Sequence, residues 1–184
     1  MELFRIFPWD GRSRGGAPGG PFFVPRHKQG AGRHDVPEKD GVIYTSKIAV
    51  SAVAEALKSF RGQPAPPGVF DRPDGTRLAL ATFDLHNAVV LVDLDDPTEL
   101  AARGLNPSLV ASGLRPATQA LARTLYDEGV AAFLWWSALN ASWKNAALFE
   151  GRVRSGLRVT EITALRAGLD VVTRAALELN VSLK

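Results

Sequence analysis

QGAGRHDVPEKDGVIYTSKIAVSAVAEALKSF, residues 29–60, sets a turn, a strand and a helix in immediate succession. Glycines stand on the N-terminal side of Arg33 and Pro37 follows, so the segment opens as a flexible turn. A charged loop then leads into GVIYT (residues 41–45), an apolar β-branched run that predicts a strand ending near Tyr44. Ser46 stands where an N-cap belongs, and Ile48, Ala52, Val53, Ala56, Leu57 and Phe60 recur at helical spacing. On that helix Glu55 falls about 60° from Ala52, at the edge of the apolar face rather than opposite it. A carboxylate there is either a surface residue at the margin of the stripe or a group facing a cleft, where neighbouring cations tune it.

Working outward, LFRIF (residues 3–7) predicts a strand with Arg5 at its centre, and residues 11–32 predict loop. Between Gly11 and His34 the cations Arg12, Arg14, Arg26, Lys28 and Arg33 occur with many glycines and no carboxylate. A mobile solvated arm is the simplest reading. The alternative is an anion-binding arm, in which free backbone N–H groups and guanidinium forks wrap phosphate oxygens. Residues 61–77 form a Pro/Gly loop. LALATF and AVVLVDL predict two strands joined by a hairpin at DLHN, and DPTELAARG a short helix between Pro97 and Gly104. Residues 115–129 predict a longer helix, VAAFLWW and NAALFE two strands around the loop SALNASWK, and residues 160–179 one long amphipathic helix whose main role is packing. Strands and helices mix without regular alternation, which predicts an α+β fold: a single compact domain with small mixed sheets flanked by helices.

With 184 residues the chain suffices for one domain with a real core. It contains no cysteine, which excludes disulfides, a thiolate nucleophile and Cys-ligated metal. The start of the chain lacks a signal-like apolar run and no stretch is long enough to span a membrane, so a cytoplasmic protein is expected. A net charge of +3 does not by itself argue for nucleic acid. His27, His34 and His86 lack ligand spacing, so no metal site is expected. P-loop, dinucleotide-fingerprint and serine-elbow motifs are absent.

In order along the chain, LFRIF, GAGRHDVP, GVIYTS, AVAEAL and WWSALN resemble the RES-domain family, named for an arginine, a glutamate and a serine. Members typically show an arginine near the N-terminus, a GGRW-N-P turn, a strand ending in Tyr, an Ala-rich helix up to Glu and a late strand–loop with Ser. Arg5 matches the first arginine, Arg33 the turn arginine, Tyr44 the tyrosine and Glu55 the glutamate. Ser137 is the best match to the serine, with Ser112 its competitor. The segment ATQALARTLYDEGV resembles the family's Gln-containing helix, and the resemblance covers roughly residues 3–150. The turn departs from the pattern at His34, where an aromatic is common, and at Asp35, where Asn is common. Asp35 either holds Arg33 or repels a pyrophosphate.

The resemblance implies an ADP-ribosyltransferase-like catalytic domain over residues 1–150, with 151–184 a strand/helix extension packed on it. It implies a toxin of a bacterial toxin–antitoxin pair that consumes NAD⁺ by hydrolysis, phosphorolysis or ADP-ribosyl transfer, with NAD⁺ as substrate and no further cofactor. The partner would be a separate helix-turn-helix antitoxin, the only link to nucleic acid, and an oligomer is compatible with the pattern. Glu55, Arg33 and Tyr44 would be catalytic; Arg5, Arg33, Tyr44, Ser137 and Asn140 would bind the dinucleotide. Val53, two residues before Glu55, breaks the E-x-E pair of arginine-modifying transferases. Each residue also has an ordinary role open to it: Arg5 on an edge strand, Tyr44 in the core, Ser137 and Asn140 in a turn. The rival function is a non-catalytic nucleotide- or RNA-binding module that uses the basic arm.

Overall fold

The computed structural model describes residues 1–86 and 88–183 of the chain. The fold is α+β, and seven strands make a mixed sheet in the order β4-β5-β6-β2-β1-β3-β7 where several small sheets were expected. The chain divides into two compact units, which the strand β2 (Val42–Ser46) enters in turn.

The first unit comprises Met1–Phe23, Thr45–Asp84 and Arg158–Lys184. Strand β1 (Glu2–Trp9) runs antiparallel both to the end of β2 and, along its whole length, to β3 (Arg77–Leu85). It is therefore an interior strand, and Arg5 is not on an edge. Leu3, Arg5 and Phe7 share one face by the two-residue period, and Leu3 and Phe7 are buried there. Helix α1 (Ala49–Leu57) buries Val50, Ala52, Val53, Ala54 and Leu57 and packs on β1 and on the later helix α6 (Asp170–Glu178).

The second unit comprises Val24–Tyr44 and Leu85–Leu157. Strand β4 (Leu91–Asp93) runs parallel to β5 (Ala132–Trp136), which pairs antiparallel with β6 (Lys144–Phe149). In β5, Ala132, Phe133, Leu134 and Trp135 are all buried, as a strand covered on both faces requires. Helices α2 (Pro97–Ala102), α3 (Pro107–Ala111) and α4 (Arg115–Asp127) supply Leu100, Val110, Leu121, Ala122 and Leu125 to the same core. A short helix α5 (Glu150–Val153) follows β6.

Several expectations need correction. The strands β3 and β4 do not form a hairpin, because β3 is consumed by β1 and β4 by β5; Asn87, in the expected turn, lies outside the described residues. The long helix expected over residues 160–179 is strand β7 (Leu157–Ala164) followed by α6. Val159, Thr160, Ile162 and Thr163 favour a pleated strand over a helix. Ser46 is no helix cap: it ends β2, and its buried hydroxyl accepts from Ser51 Oγ at 3.3 Å. Ile48, assigned to the apolar stripe, is exposed at the helix N-cap. Helices α3 and α5 are too short to leave a periodic signal, although Asn106 caps α3 through a 2.9 Å bond from Ser108 N–H. The packing role of the C-terminal helix holds: Val172, Ala175 and Ala176 are buried in α6, which packs against α1.

Candidate functional site

The turn around Arg33, read as flexible from its glycines, is pinned at both Gly30 and Gly32 and at the Arg33 carbonyl. Asp35 Oδ2 accepts the Gly30 N–H at 2.7 Å and the Gly32 N–H at 2.6 Å. Gln119, on α4, donates its Nε2 to the carbonyls of the same two glycines, at 3.0 and 2.8 Å. Thr118, beside it on α4 and buried, donates its hydroxyl to the Arg33 carbonyl. Arg33 in turn donates Nη2 to the carbonyls of Val110 and Ser112, both at 2.8 Å. Thus α3 and α4 together fix the backbone and the side chain of this arginine.

Tyr44 forms the floor. Its hydroxyl donates to Asp35 Oδ1 at 2.7 Å and accepts from the His34 N–H at 2.9 Å. Burial, followed by the Asp35 carboxylate, pushes the phenol above its ordinary range, so it stays protonated. Gly32 is required here by close approach: a Cβ would lie 2.6 Å from Asp35 Oδ1 and closer still to Tyr44 Oη.

The two departures from the family pattern now have physical accounts. His34 is fully buried and packs edge-on against Phe133 and Trp135, with ring centroids 5.0 and 4.4 Å apart. Neither ring nitrogen has a hydrogen-bond partner among the described residues. Burial, then the neighbouring Arg33 charge, lowers its pKa to about 3, so it serves as a neutral aromatic ring. Asp35 spends both oxygens on the turn and on Tyr44, the work of a turn-forming side chain.

The remaining predicted residues sit as follows. Arg5 reaches from β1 and donates Nη1 to Pro21 O at 2.6 Å and Nη2 to Phe23 O at 2.8 Å, clamping the loop after β1. Glu55, on α1, is half-buried and 3.0 Å from Lys58 Nζ, a solvent-side pair of a kind worth roughly 0–1 kcal/mol. Ser137 is buried: its N–H donates to Trp143 O at 2.7 Å and its Oγ accepts from the Leu139 N–H. Asn140 Oδ1 accepts from the N–H and hydroxyl of Ser142, an Asx turn. Ser112 Oγ accepts from the Leu114 N–H. The structure therefore gathers Arg33, Asp35 and Tyr44 with Thr118 and Gln119, and it gives Ser137 and Asn140 the bonds of turn formers. Thr118 is the residue sequence reasoning missed; only its place beside Gln119 could have pointed to it. Among the described residues no group of three or more His, Asp or Glu side chains is placed to hold a metal ion, and no helix is long and apolar enough to cross a membrane.

A mixed sheet with a glycine–arginine turn braced by a carboxylate, a tyrosine and a glutamine-bearing helix defines a class of α+β domain. The RES domain family model matches residues 2–170, and the chain belongs to that family. Among solved structures, a chain of the M. tuberculosis MbcT–MbcA toxin–antitoxin complex is similar in fold, with TM-score 0.62 and 16% identity over 98% of this chain and 87% of that one. No curated protein matches the chain in sequence.

Proposed function

We propose that the protein is an NAD⁺-consuming enzyme that breaks the nicotinamide–ribose bond, and that it is the toxin of a toxin–antitoxin pair. The observation that carries this reading is the RES family match over residues 2–170, within which Arg33 stands in a turn braced by side chains from α4. The fold likeness to a chain of a toxin–antitoxin complex supports a separate antitoxin as partner, and we assign the activity to the cytoplasm.

In the reaction, the C–N bond from ribose to nicotinamide breaks and its electron pair leaves with nicotinamide. A ring that was cationic departs neutral, so no strong general acid is required. The ribose acquires oxocarbenium character, and water, phosphate or a protein nucleophile closes the product. Glu55 is assigned to stabilise the positive ribose or to hold a ribose hydroxyl. Arg33 and Arg5 are assigned to phosphate and ribose oxygens, through guanidinium groups that also hold the carbonyls of Val110 and Ser112 and those of Pro21 and Phe23, respectively. Tyr44 is assigned a ring-stacking contact, its hydroxyl being engaged elsewhere. Ser137 and Asn140 are assigned as polar contacts to the dinucleotide. No cofactor beyond the substrate enters this chemistry.

The test is incubation of the purified protein with NAD⁺, with and without phosphate, following free nicotinamide by chromatography. Wild type is expected to release it, and Glu55→Gln to lower the rate about 100-fold or more, as loss of one transition-state electrostatic contact does. Absence of release in every condition, or equal release by Glu55→Gln, would overturn the assignment.

A further inference from the structure

We propose that Gln119 is a positioning residue for Arg33, acting through the glycine turn rather than on a ligand; the proposal rests on the assignment of Arg33 to NAD⁺. Two side chains satisfy the backbone N–H and carbonyl of the same two residues, Gly30 and Gly32. Asp35 takes the N–H groups of Gly30 and Gly32, and Gln119 supplies N–H to their carbonyls. Glycine peptides have the widest choice of conformation, and Gly30 adopts φ +103°, a region that few other residues hold. A turn built on such residues keeps one shape only when its polar groups are pinned from outside. Asp35 lies in the turn itself and moves with it. Gln119 lies on α4, a 13-residue helix whose Leu121, Ala122 and Leu125 are in the core, so it ties the turn to a rigid element. Thr118 adds one bond to the Arg33 carbonyl from the same helix. The Arg33 side chain, held by the Val110 and Ser112 carbonyls, starts from a backbone that α4 has set.

A purely structural glutamine would lower stability alone. A positioning glutamine makes its effect depend on Arg33 and appear in binding. Steady-state NAD⁺ cleavage would be measured for wild type, Gln119→Ala, Gln119→Met, Arg33→Lys and the Arg33→Lys/Gln119→Ala double variant. Exchange of the Arg33 Nε–H with solvent would be followed by NMR for wild type and the two Gln119 variants. Gln119→Met keeps the side-chain length without the donors, and serves if the alanine variant does not fold. The expected result is a rise in KM of about ten-fold with kcat changed less than about two-fold, the signature of an interaction made equally in ground and transition states. Adding Gln119→Ala to Arg33→Lys should cost almost nothing further, and the Nε–H should exchange about ten-fold faster in both Gln119 variants. Fully additive effects in the double variant, or unchanged Nε–H exchange, would overturn the positioning role. If wild type cleaves no NAD⁺, the functional assignment fails, and the exchange measurement alone then decides the role of Gln119.

Discussion

A methyl group on Gly32 has nowhere to go. It would meet Asp35 Oδ1 at 2.6 Å and press on Tyr44 Oη, the two atoms whose hydrogen bond floors the turn. Gly32→Ala is therefore expected to lower stability by about 1–3 kcal/mol, the usual cost of overpacking; urea unfolding measures it, and a change below about 0.5 kcal/mol would show that the turn yields. His34 gives a pH prediction whose sign is fixed by burial. Its pKa falls from the ordinary 6.5 to about 3 in the folded protein, so between those values the unfolded chain binds more protons. Stability should then fall as pH drops through that window, by about 1.4 kcal/mol per pH unit from this residue. His34→Phe keeps an aromatic ring between Phe133 and Trp135 and removes the titration. Unfolding curves from pH 7 to pH 4 should show a shallower loss for His34→Phe than for wild type; parallel slopes would mean that His34 is not buried neutral. At this scale the placement of Tyr44 on a strand and of Glu55 on the helix that follows was legible in the sequence. The duty of Asp35 was not, because whether a carboxylate holds its own turn or faces an arginine is decided by rotamer and backbone, which a sequence does not display.

Helices with a periodic face, or with a proline start and a glycine stop like the six-residue α2, announced themselves, and α3, α5 and the mispartnered C-terminal run did not. Helices α1 and α4 repeat apolar residues over enough turns to define a face, whereas α3 spans only five residues and α5 four. The run from residue 160 to 179 misled because Ile162, Leu165, Leu169, Val172 and Ala176 also fit a helical stripe. The β-branched residues and the pairing partner outvoted the stripe in its first half: Thr160 Oγ1 donates to Thr82 O on β3, and Leu165 N–H to Leu78 O. The surviving helix α6 offers a direct test of its packing role. Ala175 is fully buried in the unit where α6 packs on α1, while Leu177 on the same helix is 75% exposed. Ala175→Leu should cost about 1–3 kcal/mol by overpacking, and Leu177→Ser should stay within about 0.5 kcal/mol. Equal tolerance of both changes in thermal unfolding would mean that α6 is not held against α1.

Across the whole molecule, the two functional readings part over where the basic charge is spent. An RNA-binding arm needs free cations and free backbone donors. The loop after β1 has few of the latter: the N–H groups of Asp10, Ser13, Ala17, Gly20, Phe22 and Phe23 all donate to carbonyls within residues 10–20. Arg5 clamps its far end and Phe22 packs on Phe83, so the arm is a folded loop rather than a mobile one. Of its cations, Arg12 pairs with Asp10, and Arg26 lies 3.0 Å from Glu150 and 3.7 Å from Asp40. That leaves few charges to release counterions from a polyanion. Single-stranded RNA should bind weakly at physiological salt, and log K against log salt should have a slope shallower than about −2, at roughly −0.7 per phosphate neutralised. Substituting Arg12, Arg14 and Arg26 together by alanine should leave NAD⁺ cleavage within about two-fold, since surface changes away from a site seldom reach it. Tight RNA binding with a slope steeper than about −3, lost in that triple variant and accompanied by no NAD⁺ cleavage in wild type, would make the arm the functional surface. The family pattern could not settle this, because a glycine-rich basic stretch has the same composition whether its backbone donors face a phosphate or one another.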